Sequence, residues 1–171
     1  MRKEITYYFD MDGCLAEFRK GVPIEETFKP GYFFGLAPER RLVNTVIAMA
    51  HDGYDVRILS SVYETGTAAA DKHAWLKKHG LGHIPAVFVP YGTDKNDYVA
   101  DSTFPVLVDD YTYNLDKWTR AGHLGFKYYN GINGTKGTWK GYSVDRRMSM
   151  PEIMTALIAV AEAEYEKGVQ A

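Results

Sequence analysis

Apolar residues along the chain form short runs that alternate with stretches of helical periodicity. Each run is rich in β-branched or aromatic residues and is bounded by polar or glycine-containing segments, which is typical of buried strands. Five strands are predicted on this basis, at residues 5–9, 56–59, 86–89, 106–108 and 123–128.

Three other stretches have apolar residues three and four positions apart and predict helices. The first covers residues 38–53, and the second covers about residues 67–79. The third begins at Ser149, where Ser149 and Glu152 fit a capping box. For the second helix the pattern predicts a buried face made of Ala69, Ala70, His73 and Leu76.

The alternation of strands and helices predicts an α/β fold with a parallel sheet covered on both faces. No internal repeat, low-complexity tract or linker divides the sequence, so we expect residues 1–171 to form a single domain. Residues 14–37 have no clear period and are unusually aromatic. We interpret them as an insertion between the first strand and the first helix.

Composition narrows the classes of protein that fit. The 20 basic and 22 acidic residues give a net charge of −2, which argues against extended nucleic acid as a partner. Cys14 is the single cysteine, so no intramolecular disulfide can form. The first residues contain no apolar core of the length that a signal peptide needs, and no apolar run reaches the length of a membrane span. We expect a cytoplasmic protein that does not enter a membrane.

Polar residues that could bind a ligand or take part in catalysis follow the ends of four predicted strands. In a parallel α/β sheet, the carboxyl ends of the strands lie at one edge and form the ligand-binding edge. We therefore expect one site that contains, in strand order, Asp10 and Asp12, Ser60 and Ser61, Lys95, and Asp109 and Asp110.

These residue types suit a phosphate and a magnesium ion. Mg²⁺ prefers hard oxygen ligands and is usually held by one or two carboxylates together with phosphate oxygens. Asp10 and Asp12 lie two residues apart on an extended chain and can reach the same centre. Gly13 allows a sharp turn beside them. Ser60 and Lys95 can bind phosphate oxygens and stabilise charge that develops during the reaction.

The combined pattern resembles the four motifs of the haloacid-dehalogenase-like (HAD) phosphatases. The stretches DMDGCLAEF, FKPGYFFGL, ILSS, DKHAWLKKH and VLVDDYTYNL are similar, in this order, to the 5'(3')-deoxyribonucleotidase branch. The resemblance covers roughly residues 5–125 and implies a three-layer Rossmann-like parallel sheet. That family usually carries a helical cap after the first motif, whereas only residues 14–37 are available here. A reduced cap is therefore expected.

The resemblance also implies roles for the carboxylates. Asp10 would be the nucleophile that forms an aspartyl-phosphate. Asp12 would be the general acid for the leaving alcohol and then the base that activates water. Mg²⁺ would be held by Asp10, the main-chain carbonyl of Asp12, and Asp109. Asp110 would act as a ligand through water or would orient Lys95.

The remaining candidates concern the substrate. By the same resemblance Ser60 and Lys95, with Ser61 and the backbone at Gly13, would hold the phosphate. Aromatic residues of the insertion could stack on a base or could form a hydrophobic plug, and the pattern does not choose between these readings. The aromatic candidates are Phe18, Phe33 and Phe34.

The resemblance implies a Mg²⁺-dependent phosphomonoesterase whose substrate is a nucleoside monophosphate, in particular a deoxyribonucleotide. One alternative is a phosphatase for another small phosphate such as a sugar phosphate, because a short cap offers little to select a base. A second alternative is a non-catalytic nucleotide-binding protein that keeps the fold.

Overall fold

Six parallel strands form one sheet in the order β3-β2-β1-β4-β5-β6. The computed structural model describes residues 4–64, 66–99, 104–132 and 137–170. The strands are β1 (Ile5–Phe9), β2 (Asp55–Val62), β3 (Ala86–Pro90), β4 (Phe104–Asp109), β5 (Leu124–Tyr129) and β6 (Tyr142–Asp145). The helices are α1 (Ile24–Thr27), α2 (Arg40–His51), α3 (Ala68–Lys78), α4 (Thr112–Arg120) and α5 (Met150–Gln170), with a 3₁₀ helix at Lys95–Tyr98.

The predicted α/β fold with a parallel sheet is confirmed, and the five predicted strands and three predicted helices are all present. Four of the described elements were missed: α1, α4, β6 and the 3₁₀ helix. Helix α4 buries only Leu115 and Trp118, and β6 is only four residues long, so neither gives a strong periodic signal. Strand β2 extends three residues past its predicted end and includes Ser60 and Ser61.

Helices cover both faces of the sheet. Neighbouring strand residues point to opposite sides, so the strands place apolar side chains on both faces. Tyr7 and Phe9 of β1 pack in the larger hydrophobic cluster with buried residues of α2, α3 and α5. Tyr8, between them in sequence, packs in a second cluster with Leu115 and Trp118 of α4. The result is three layers: within the part of the chain that the structure describes, α4 covers one face and α2, α3 and α5 cover the other.

The buried face of α3 differs from the prediction. Ala69, Ala70 and His73 are exposed, and of the predicted face only Leu76 is buried. The prediction was wrong because one buried position is a lysine, which an apolar pattern does not count. The residues that α3 buries are Ala68, Lys72, Trp75 and Leu76.

The insertion at residues 14–37 lies against α3 and contributes to the larger hydrophobic cluster. Leu15, Phe33 and Leu36 are buried in that cluster. The indole nitrogen of Trp75 donates a 2.8 Å hydrogen bond to the backbone oxygen of Leu36. The backbone N–H of Gly31 donates to a carboxylate oxygen of Asp71 in α3 at 2.7 Å. Both bonds fix the insertion to α3, beside the carboxyl end of β2.

Among the described residues no helix, including the long α5, is apolar enough over its length to cross a membrane.

The Trp75 hydrogen bond gives a test of how firmly the insertion is held. We expect Trp75→Phe to lower the free energy of unfolding by about 1–3 kcal/mol, because it leaves the buried oxygen of Leu36 without its donor. The matched control is Trp139→Phe, which removes from a half-buried residue a 2.8 Å indole bond that is open to solvent. Urea denaturation measures the free energy of unfolding of both variants. Equal losses would contradict the conclusion that the Trp75 bond holds the insertion against α3.

Candidate active site

A cleft of about 570 Å³ opens at the carboxyl ends of β1, β2 and β4. Asp10, Asp12 and Asp110 line it from the first and fourth strand ends, and Ser61 lines it from β2. The cleft therefore lies at the sheet edge where ligands of parallel α/β proteins bind.

Lys95 joins the ends of β1 and β4. Its ammonium group donates to Asp10 Oδ1 at 2.8 Å and to Asp109 Oδ2 at 2.7 Å, and the side chain is 4% exposed. Burial lowers the pKa of Lys95, but the carboxylates of Asp10 and Asp109 outweigh it and hold that pKa above its ordinary value. A permanently charged lysine thus lies between two buried carboxylates.

Asp109 is fully engaged by protein groups. Besides Lys95, its carboxylate accepts hydrogen bonds from Asn114 Nδ2 at 2.9 Å and from the backbone N–H of Tyr111 at 2.7 Å. Asp109 is also fully buried. The carboxylate of Asp109 therefore orients Lys95.

Asp10 is buried yet faces the cleft. Burial raises the pKa of Asp10 to about 6; Lys95 opposes this shift, while the neighbouring carboxylates of Asp109 and Asp12 add to it. A carboxylate whose negative charge is disfavoured in this way gains from a cation placed beside it.

Asp10, Asp110 and Cys14 form a group whose potential ligand atoms all lie within 4.8 Å of one another. Burial, and then the nearby carboxylates, raise the pKa of the Cys14 thiol well above its ordinary value, so the thiol stays protonated and is a poor ligand. Asn130 Nδ2 donates to Asp110 Oδ2 at 3.0 Å and to the backbone oxygen of Gly13 at 2.9 Å. The two carboxylates are thus the available ligands.

The places of Asp109 and Asp110 differ from the sequence expectation. The resemblance implied that Asp109 would bind the metal directly and that Asp110 would lie beside it or orient Lys95. In the structure Asp109 binds Lys95, and Asp110 is the carboxylate grouped with Asp10. Asp109 is the last residue of β4 and Asp110 the first residue beyond it, so the two neighbouring side chains have different partners.

Gly13 makes room for Asp110. Its φ is +81°, a region that residues with a side chain rarely adopt, and a Cβ placed there would lie 2.1 Å from Asp110 Oδ2. The backbone approaches the carboxylate this closely only because position 13 has no side chain.

Asp12 is bound by a residue that the sequence analysis missed. Lys72 Nζ donates to Asp12 Oδ2 at 2.6 Å, and the Lys72 side chain is fully buried. Lys72 occupies the same face of α3 as Ala68, Trp75 and Leu76, at spacings of three and four residues. A lysine on the buried stripe of an amphipathic helix is the signal that could have identified it.

The two serines have different environments. Ser60 is fully buried within β2, and Lys72 Nζ donates to its Oγ at 3.1 Å. Ser61 lines the cleft. The order of preference in the sequence analysis, which placed Ser60 first for phosphate binding, therefore differs from the geometry: Ser61 faces the cleft and Ser60 contacts Lys72.

Aromatic residues surround the cleft, though they are only partly those expected. Phe18 and Phe33 line it, whereas Phe34 is exposed and lies against Lys78. Four tyrosines that the sequence analysis did not select also line the cleft, and we call them the tyrosine rim: Tyr63, Tyr91, Tyr111 and Tyr113.

The tyrosine rim presents rings on two sides of the cleft. Tyr63 and Tyr91 have ring centroids 4.7 Å apart at an interplanar angle of 36°. Tyr111 and Tyr113 form a second pair at 6.0 Å and 44°. Among the described residues no lysine or arginine lines the cleft surface.

Comparison with known sequences gave no match to a family model and none to a curated protein. Solved structures do match. A chain of the Pnkp1/Rnl/Hen1 complex has a TM-score of 0.60 at 17% identity over 73% of this chain and 46% of that chain. The protein studied here thus spans less than half the length of that neighbour.

Two further neighbours match over almost their whole length. A protein from Listeria monocytogenes serotype 4b has a TM-score of 0.63 at 12% identity, covering 92% of this chain and 98% of that chain. The D,D-heptose 1.7-bisphosphate phosphatase from B. bronchiseptica, complexed with magnesium and phosphate, has a TM-score of 0.60 at 12% identity, with 95% and 98% covered. At these identities the likeness shows the fold alone, and the predicted three-layer Rossmann-like parallel sheet is confirmed.

Replacing Gly13 tests the close approach of Asp110. We expect Gly13→Ala to lower the free energy of unfolding more than Gly53→Ala does. Both glycines have a positive φ, +81° and +84°, so both substitutions cost about 1–2 kcal/mol of backbone strain. Only at Gly13 does the new Cβ meet a side chain, since Gly53 has nothing within 4 Å. Equal losses in urea denaturation would contradict this account.

The raised pKa of Asp10 predicts a pH dependence of stability. Between the ordinary carboxyl pKa of 3.8 and about 6, folded Asp10 keeps a proton that the unfolded chain has released. Stability contributed by this group is therefore lost as pH rises through that window.

The quantity to compare is the difference in the free energy of unfolding, wild type minus Asp10→Asn. We expect this difference to fall by on the order of 2 kcal/mol between pH 4 and pH 7. Urea denaturation in the presence of EDTA measures both proteins. A difference that is constant or rises with pH would contradict the raised pKa.

Proposed function

We propose that this protein is a Mg²⁺-dependent phosphomonoesterase that hydrolyses nucleoside monophosphates, with deoxyribonucleotides preferred, through a phosphorylated Asp10. The observation that carries the proposal is the arrangement of Asp10. It is held by buried Lys95, grouped with Asp110, and open to a cleft at the ligand-binding edge of the sheet. The magnesium and phosphate in the B. bronchiseptica neighbour support the same class of reaction.

The chemistry of the residues fits magnesium. Asp10 and Asp110 offer hard oxygen atoms close together, and the thiol beside them stays protonated. We propose that these two carboxylates hold the ion, together with the main-chain carbonyl of Asp12, and that Asp109 acts by orienting Lys95. Bound magnesium would supply charge that offsets the carboxylates and the phosphate.

In the proposed first step, an Asp10 carboxylate oxygen attacks phosphorus and forms a P–O bond. The ester P–O bond breaks, and the leaving alcohol oxygen takes a proton from Asp12. The electron pair of the broken bond goes to the leaving oxygen, so the products are free alcohol and phospho-Asp10.

In the proposed second step, water attacks phospho-Asp10. Asp12, now deprotonated, takes a proton from that water, and the bond between phosphorus and the Asp10 oxygen breaks. Inorganic phosphate leaves and Asp10 returns to its carboxylate form. Each turnover thus restores both aspartates.

Phosphate binding would fall to Lys95 and Ser61. A lysine ammonium has three N–H donors, and Lys95 uses two of them on Asp10 and Asp109. The third can bind a phosphate oxygen next to the nucleophile. Ser61 can donate its hydroxyl from the β2 side of the cleft.

The tyrosine rim supports a substrate with a planar group. Aromatic faces bind nucleobases by stacking and place few demands on which base is bound. Among the described residues no lysine or arginine lines the cleft itself, although the Lys117 ammonium lies 4.7 Å from the ring centroid of Tyr113 at its rim. An extended nucleic acid would need a basic surface, so a mononucleotide is the better substrate.

A sugar phosphate is the second candidate, because the heptose bisphosphate phosphatase matches over 95% of this chain. Among the described residues no lysine or arginine lines the cleft to bind a second phosphate besides the one proposed for Lys95, which argues against a bisphosphate. The remaining alternative is a nucleotide-binding protein without turnover.

Phosphate release from a substrate panel tests the proposal. We expect the purified protein with Mg²⁺ to hydrolyse deoxyribonucleoside monophosphates with a higher kcat/KM than ribonucleoside monophosphates or sugar phosphates. Asp10→Asn should remove turnover because the nucleophile is lost, by a factor of at least about 10³. EDTA should have the same effect on wild type.

Asp52→Asn, an exposed aspartate beyond the end of α2, serves as the matched control and should keep full turnover. Turnover that persists in Asp10→Asn would contradict the nucleophile. Nucleotide binding without any release would favour the binding protein, and a sugar phosphate as the best substrate would favour the second candidate.

A further inference from the structure

We propose that Lys72 is a positioning residue that orients Asp12 for proton transfer. The insertion at residues 14–37 supports this role because it covers Lys72. The inference rests on the proposed function, since it assigns a role in the same reaction. Lys72 lies on α3, outside the four strand ends that supply the other polar groups of the site.

The donors of Lys72 are all used within the protein. Its three N–H groups have three acceptors: Asp12 Oδ2 at 2.6 Å, the backbone oxygen of Ser61 at 2.7 Å and Ser60 Oγ at 3.1 Å. The side chain is fully buried and does not line the cleft. Lys72 therefore has no donor left for a substrate and can influence the reaction only through the groups it holds.

Two of those acceptors belong to β2, which fixes the position of the ammonium group. The backbone oxygen of Ser61 cannot move without the strand, and Ser60 is buried in the sheet. The third acceptor, Asp12, is the partly exposed one. The sheet thus fixes Lys72, and Lys72 in turn fixes Asp12.

The insertion covers the lysine of this ion pair, while Asp12 keeps its access to the cleft. The Lys72 ammonium lies 4.8 Å from the ring centroid of Phe33, a buried residue of the insertion. Trp75, three residues further along α3, holds the insertion through Leu36. Excluding water strengthens the interaction between Lys72 and Asp12, because the effective dielectric constant falls.

Lys72 holds the Asp12 carboxylate, which lines the cleft, by one of its two oxygens. Oδ2 is bound by Lys72, whereas Oδ1 is buried and has no hydrogen-bond partner among the described residues. A carboxylate held by one oxygen loses rotational freedom, and the other oxygen keeps a defined direction. Holding a catalytic group in place in this way lowers the entropic cost of the step it performs.

The role of Lys72 predicts a dependence on the leaving group. An alkyl phosphate releases a poor leaving group that needs a proton from Asp12, whereas nitrophenyl phosphate releases a stable anion that does not. We expect Lys72→Met to lower kcat/KM by about 10²-fold for an alkyl phosphate and by less than about 3-fold for nitrophenyl phosphate. The ratio kcat/KM is used because it reports the steps up to departure of the leaving group.

Lys77→Met, an exposed lysine on the same helix, is the matched control and should change neither value. Lys72→Gln is the second variant, because it keeps a donor for the buried acceptors of β2 while removing the charge. Circular dichroism and urea denaturation establish that each variant is folded. Lys72→Gln should show the same selective loss as Lys72→Met.

A double-mutant cycle tests whether Lys72 acts through Asp12. In the Asp12→Asn background we expect Lys72→Met to lower kcat/KM for the alkyl phosphate by less than about 2-fold further. Equal losses on both esters, or an undiminished further loss in that background, would overturn the inference.

The proposed function has a separate readout in the same assay. Hydrolysis of nitrophenyl phosphate that disappears in Asp10→Asn supports the nucleophile, whatever the ratio found for Lys72→Met. A Lys72 result that overturns the positioning role would therefore leave the proposed function standing.

Discussion

The site depends on one buried cation between two buried carboxylates. Lys95 joins Asp10 at the end of β1 to Asp109 at the end of β4, two strands that are neighbours in the sheet. Without the lysine, two negative charges would face each other in a region of low dielectric constant, which is strongly unfavourable. The pairing also keeps Asp10 in one orientation toward the cleft. Fold and candidate chemistry are thus linked through the same ion pairs.

A second buried lysine repeats this arrangement on the other side of β1. Lys72 comes from α3 and holds Asp12, as Lys95 holds Asp10. Each aspartate of the DMDG stretch therefore has its own cation, and their mutual repulsion is offset by protein groups as well as by any bound metal. The separate partners suit separate roles, with attack by one carboxylate and proton transfer by the other. The insertion has a part in this division, since Phe33 lies against Lys72 and Leu36 accepts a hydrogen bond from Trp75 on the same helix.

The residues at strand ends could be read from the sequence because a parallel sheet places them by topology alone. Asp10, Asp12, Ser61, Lys95, Asp109 and Asp110 come together at one edge for that reason. Which of two adjacent residues faces the cleft depends on where the strand ends, and β2 continues past Ser60 and Ser61. Lys72 was missed because a charged residue on a helix is ordinarily read as exposed, and only the three-dimensional contact with Asp12 shows otherwise. The tyrosine rim was missed because Tyr63, Tyr91 and the pair Tyr111 and Tyr113 come from three separate places in the sequence and lie in loops or at an element end, where no periodicity marks them.

The central claim is that Asp10 carries the phosphoryl group during turnover. The most direct measurement is rapid acid quenching of the enzyme during hydrolysis of a phosphate-labelled substrate, followed by peptide mapping of the bound label. If Asp10 is phosphorylated, we expect label on the peptide that contains Asp10, with the properties of an acyl phosphate. We expect no label in Asp10→Asn. Label on a different residue, or turnover with no labelled enzyme at any quench time, would contradict it.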